Sequence, residues 1–355
     1  MDIPRVQKRE RAGLRFDSLQ VFRGLAALAV AYNHLYVVAP RFLNFDYNGP
    51  WAVSGDLGVY FFFALSGFII TWMHLRDLGK PDRLIPFALK RVVRIYPMVW
   101  VIVTVKLASA FLIPALNVSN KTSPATITAS YLLVPNAKYV IDVQWTLVHE
   151  ILFYSLFAGW IFLGRRTAAI MGVAWAILIL CSPASPDHIL LRYFLSPHNL
   201  EFLGGALIAV LLSRSLLSAR LSAILVPLAL AAVVIGIPSG IRTHLFWAPV
   251  FCVLLAGMVS FDALGKLRWP RWLTYLGDAS YSVYLCHTSF QVLIVLVGRK
   301  WEVPFSRHGQ LLLHLTGFVS LLGGVACYQW LERPITAWSR RLLSRRGLLV
   351  KAPVH

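Results

Sequence analysis

The sequence has little charge. Only 14% of its 355 residues are Asp, Glu, Lys or Arg, against about 25% in soluble domains. With 58% hydrophobic residues, that shortage excludes an ordinary water-soluble globule. Acidic residues are the scarcest class: 15 Asp and Glu stand against 34 Lys and Arg, a formal net charge of +19. The basic excess is dispersed between apolar runs and not gathered into one domain, so no nucleic-acid partner is expected. Cysteine is sparse too. Cys181, Cys252, Cys286 and Cys327 lie in or beside apolar runs without metal-ligand spacing, so they read as packing residues. Neither disulfides nor a metal are expected. There is no G-x-S-x-G elbow, which excludes the familiar serine nucleophile. Internal repeats and low-complexity segments are absent. The first apolar run lacks a small-residue cleavage site, so no removable leader is expected.

What the chain has instead is long apolar runs. A membrane-spanning helix needs about 20 mostly apolar residues. Ten runs qualify: 20–38, 56–75, 91–113, 145–163, 167–181, 198–213, 221–237, 244–261, 276–298 and 310–331. The expected fold is an all-α integral membrane protein, a bundle of about ten transmembrane helices. It forms one domain, 1–355, with basic tails at 1–19 and 333–355. Cytoplasmic loops are enriched in Lys and Arg. With the N-terminus inside, the inner segments carry 24 of these residues and the outer segments 8. Both termini are therefore expected in the cytoplasm.

The ionisable residues left inside the runs are costly there and point to function. Arg23 and His34 stand eleven residues apart on the first run, about three helical turns, so they share a face about 16 Å apart. The fourth run opens QWTLVHEILFY, which puts Glu150 about 7 Å below the outer end, near the depth of His34. Glu201 lies at similar depth, so His34, Glu150 and Glu201 can form an outer cluster. His149 points about 100° away from Glu150 and reads as packing. At the inner level, KRVVRIYP places Arg91 and Arg94 on one helix face. With Arg23 they suit an anion; they equally fit plain positive-inside anchors. The segment GDASYSVYLCH continues into a polar stripe, Ser280, Tyr284, His287 and Gln291, which must face protein or water.

FDSLQVFRGLAALAVAYNH, GDLGVYFFFALSGFII, KRVVRIYP, QWTLVHEILFY, LGDASYSVYLCH and LERP occur in this order between residues 16 and 334. Together they resemble membrane-bound acyltransferase family 3, in particular its exopolysaccharide O-acetyltransferases. The resemblance implies transfer of an acyl group, usually acetyl from cytoplasmic acetyl-CoA, to a glycan or lipid-linked oligosaccharide. It implies a multi-pass protein of the bacterial inner membrane, surrounded by lipid. Arg23 and His34 match the family's first-helix arginine and histidine. Arg91 and Arg94 match its RxxR motif, and Glu150 its fourth-span glutamate. Many members carry an added esterase-like domain; this sequence has none after His355, so a stand-alone acyltransferase is expected.

Acyl transfer to a sugar hydroxyl requires a base, which a histidine oriented by a carboxylate supplies. His34 with Glu150 fits that role. Arg91, Arg94 and Arg23 suit the phosphates of CoA. Tyr284 and His287 are candidate oxyanion donors, and Glu201 a candidate substrate contact. Direct transfer and an acyl-histidine intermediate both fit. The competing class is a proton-coupled transporter of a glycan precursor or small metabolite, which also buries carboxylates and histidines. Against it stands the lack of repeat symmetry between halves.

Overall fold

The computed structural model describes residues 16–43, 55–112, 121–182, 186–214, 219–241, 243–263, 268–301 and 305–345. Of the two basic tails, residues 1–15 and 346–355 lie outside the described residues. Among the described residues the chain is helical, with no strand. The α-helices are α1 (Asp17–Leu43), α2 (Gly55–His74), α3 (Leu84–Leu112), α4 (Pro124–Leu132), α5 (Gln144–Leu163), α6 (Arg165–Cys181) and α7 (Ile189–Phe194). They continue with α8 (His198–Ser213), α9 (Ala219–Gly236), α10 (His244–Ala263), α11 (Arg271–Lys300), α12 (Phe305–Cys327) and α13 (Arg333–Arg345).

Each of the ten apolar runs falls on its own helix, and the last continues from α12 into a π-helical turn, Tyr328–Glu332. Among the described residues, eight segments are long and apolar enough to cross a membrane, so this is a multi-pass membrane protein. The two runs missing from that eight are short. The 17 residues of α6 rise about 25 Å, less than a typical hydrocarbon core.

The chain folds as two compact units. One holds residues 1–75, 196–281 and 304–317; the other holds 76–195, 282–303 and 318–355.

In the first unit α2 packs against α8, and glycine sets how closely. A Cβ on Gly67 would stand 2.0 Å from the Phe202 carbonyl oxygen, and one on Gly205 1.8 Å from that of Ala64. The two backbones therefore touch, as small residues allow in membrane helices. Phe61, Phe68, Trp247 and Phe251 fill the core beside this contact. The first turn of α1 is tied down by Asp262. Its carboxylate accepts from the Ser18 backbone N–H at 2.9 Å and from the Ser18 hydroxyl at 2.8 Å. A carboxylate there satisfies helix N–H groups that have no intrahelical partner.

In the second unit α3 packs against α4, α5 and α13, and α5 against α6. The α5–α6 break is at Gly164, whose φ of 93° favours glycine. The mouth of α5 is fixed by Gln144, which is buried. Its amide donates to the Ser130 carbonyl at 2.8 Å and accepts from the Ile141 N–H at 3.0 Å.

Candidate active site

His34 and Arg23 both project from α1. Nδ1 of His34 lies 2.9 Å from the Val30 carbonyl oxygen, one turn earlier. A carbonyl only accepts, so Nδ1 carries the proton and, in the neutral ring, Nε2 carries the lone pair. The helix backbone thus presets the tautomer a general base needs. Arg23 donates from Nη1 to Gln20 Oε1 at 3.1 Å. Beside it α1 meets α11 closely: a Cβ on Gly277 would stand 1.9 Å from the Gln20 carbonyl oxygen. That contact joins two of the sequence motifs.

Glu201 sits in the first turn of α8 with no solvent exposure. Its partner is His244 at the start of α10, with Nδ1 2.7 Å from Oε1. Glu201, expected near the depth of His34, directs a hydrogen bond to His244. His198, one turn before Glu201, completes a triad whose ligating atoms all lie within 4.8 Å of one another.

The second unit contains the RxxR pair. Arg94 Nη1 donates to Glu332 Oε1 at 3.0 Å, and the Ser282 hydroxyl donates to Glu332 Oε2 at 2.7 Å. Glu332 is 1% exposed and ends the π-helical turn between α12 and α13. Such turns insert an extra residue per turn and are frequent at functional sites. Arg91 lies over two rings, 5.8 Å from the centroid of Phe87 and 5.7 Å from that of Tyr154. Its Nε is buried without a hydrogen-bond partner. Arg340 of α13 lies within electrostatic reach of Arg91 and Arg94. Arg91, Arg94 and Arg340 thus share one neighbourhood, with Glu332 paired to Arg94, and such a gathering of guanidiniums suits an anion.

Glu150 accepts a hydrogen bond from the Tyr154 hydroxyl, one turn along α5. The ring of Tyr154 is the one beneath Arg91, so Glu150 and the arginine pair are linked through a single side chain. His149 is buried against Tyr193, with ring centroids 4.7 Å apart, the packing role expected of it.

Tyr284 and His287, the candidate oxyanion donors, both lie buried on α11. The Thr146 hydroxyl lies 2.8 Å from the Val143 carbonyl and 2.7 Å from the Tyr284 hydroxyl, which also donates to that carbonyl at 3.5 Å. These contacts brace α11 against the start of α5. His287 is fully buried, and its Nδ1 donates to the Val283 carbonyl at 3.1 Å. The neutral ring then offers only an acceptor at Nε2, whereas an oxyanion needs a donor.

Glu332, Arg340, Tyr154, His198 and His244 are the residues sequence reasoning passed over. A carboxylate closing the last apolar run was a usable signal for Glu332. Histidines opening the sixth and eighth runs, His198 and His244, were one for the triad.

A family model described as "Acyltransferase domain" (acyltransferase 3) matches residues 16–333. The "Exopolysaccharide production protein ExoZ" of Rhizobium meliloti (strain 1021) is 30% identical over 325 residues, covering 86% of this chain and 97% of that protein. No solved structure matches.

Proposed function

The chain belongs to the acyltransferase 3 family, whose domain model spans it, and from that premise we propose that it O-acetylates an exopolysaccharide or its lipid-linked precursor with acetyl-CoA as donor. The acceptor class is suggested by the similarity to the exopolysaccharide production protein over nearly its full length. Support for the donor comes from the mutual proximity of Arg91, Arg94 and Arg340. The unpartnered Nε of Arg91 is a donor suited to a phosphate oxygen. Arg23 joins this assignment on the resemblance alone.

In this reading His34 Nε2 takes the proton from the acceptor hydroxyl as the oxygen attacks the thioester carbonyl. A C–O bond forms, the C–S bond breaks, and the imidazolium returns the proton to the departing CoA thiolate. The Val30 carbonyl holds the ring in the required tautomer. Glu150, matched in depth to His34 by the sequence, is assigned to balance the imidazolium charge. The tautomer of His34 is the observation that carries this reading. In water-excluded surroundings a preset base avoids reorganisation at the moment of transfer.

The test is labelled acetyl-CoA with the purified protein and a panel of lipid-linked glycans. Label on a glycan supports acetyl transfer. Movement of glycan across a vesicle membrane without label would select the transporter instead.

A further inference from the structure

We infer that His198, Glu201 and His244 form a binding site for one divalent transition metal of the zinc class. Two imidazoles and a carboxylate are a common three-ligand set, and three protein ligands leave a position for an exogenous oxygen. The triad comes from two helices that pack together, α8 and α10. His198 and Glu201 are three residues apart and share a helix face. His244 faces them from the first turn of α10.

The ligating atoms already converge. All lie within 4.8 Å of one another, and His244 Nδ1 is 2.7 Å from Glu201 Oε1. Tetrahedral zinc with bonds of about 2.0–2.1 Å separates its ligands by about 3.3 Å. Small side-chain rotations therefore close the site. The metal would replace the proton now shared by His244 and Glu201.

A second, independent observation points to a ligand. Glu201 has no solvent exposure, and its Oε2 makes no hydrogen bond. A buried carboxylate oxygen left bare is costly; a metal would satisfy it. The surroundings also suit a metal. Tyr60 packs against both imidazoles, at centroid distances of 5.3 Å to His198 and 4.5 Å to His244. Phe63 packs on His198 at 5.4 Å. These rings fix the imidazole orientations and exclude water, as shells around metal ligands do. Nitrogen donors favour zinc or cobalt over magnesium.

The experiment strips the detergent-purified protein with a chelator and titrates it with Zn²⁺ or Co²⁺. Metal content and the cobalt absorption spectrum are read. The expected result is one metal per chain, a tetrahedral cobalt spectrum, and no competition from excess Mg²⁺. Glu201→Gln and His244→Ala should weaken binding on the order of 100-fold or more, while His314→Ala, outside the triad, should bind as the wild type does. X-ray absorption of the wild-type zinc form gives a check independent of whether the variants fold: imidazole scattering with a nitrogen and oxygen shell is expected. Wild-type protein that takes up no metal, or folded triad variants that bind it as well as wild type, would overturn the inference.

Discussion

Arg94 and Glu332, 238 residues apart in sequence, form an ion pair at 3.0 Å whose carboxylate also receives the Ser282 hydroxyl. One of the two arginines of the RxxR motif is thus held by the glutamate of the closing LERP motif. The pair fixes the direction of Arg94 and leaves Arg91 and Arg340 to supply the net positive charge.

A double-mutant cycle on Arg94→Ala and Glu332→Ala should show this coupling. Removing either partner leaves a charge without its counter-ion in a largely buried place. Arg94 is 30% exposed, so solvent moderates the loss. The expected interaction energy in detergent unfolding is about 1–3 kcal/mol. Strictly additive losses would show that the pair contributes no stability of its own.

The arginine cluster should act on the donor. Arg91→Ala should raise KM for acetyl-CoA on the order of 10-fold, with a smaller effect on KM for the glycan. Arg91→Lys should recover only part of the loss, because Lys lacks the planar fork. Arg340→Ala should shift the same parameter by less, since Arg340 lies at the exposed edge. Unchanged donor KM in all three variants would reduce these residues to topology anchors.

Tyr154 separates two functions. Tyr154→Phe keeps the ring under Arg91 and removes the hydroxyl that bonds Glu150. Lower kcat at unchanged donor KM is expected. Tyr154→Leu removes both contacts and should raise donor KM as well. Identical kinetic profiles for the two variants would contradict the assignment.

Two glycines should respond in opposite ways. Gly67→Ala drives a Cβ into the Phe202 carbonyl and should destabilise by about 1–3 kcal/mol. Gly159, on α5, borders open space: a Cβ added there would meet nothing within 4 Å. Gly159→Ala should be neutral or stabilise by up to about 1 kcal/mol, from helix propensity alone. Thermal unfolding of both variants in detergent decides the matter.

The helices were legible because membrane spans declare themselves locally: a run such as 145–163 needs no distant partner to be recognised. The i to i−4 bond from His34 to Val30 was also within reach of sequence reasoning, since helix geometry fixes it. Pairings were not legible. Which cation meets Glu332, and which imidazole meets Glu201, depends on helix packing between segments 238 and 43 residues apart. Depth along a helix gave Glu201 a level. It could not say which side of α8 faces α10. Tyr284 shows the same limit: the spacing placed it on a polar stripe, but only packing revealed its 2.7 Å contact with Thr146.

The central claim is that His34 is the base in acetyl transfer. The most direct test is turnover of labelled acetyl-CoA to glycan by purified His34→Ala, alone and combined with Glu150→Gln, each checked for folding by size exclusion and thermal unfolding. The account predicts a loss of about 10²–10⁴-fold for His34→Ala, and little further loss in the double variant, because members of one catalytic unit are strongly non-additive. Near-normal turnover by a folded His34→Ala protein would contradict it.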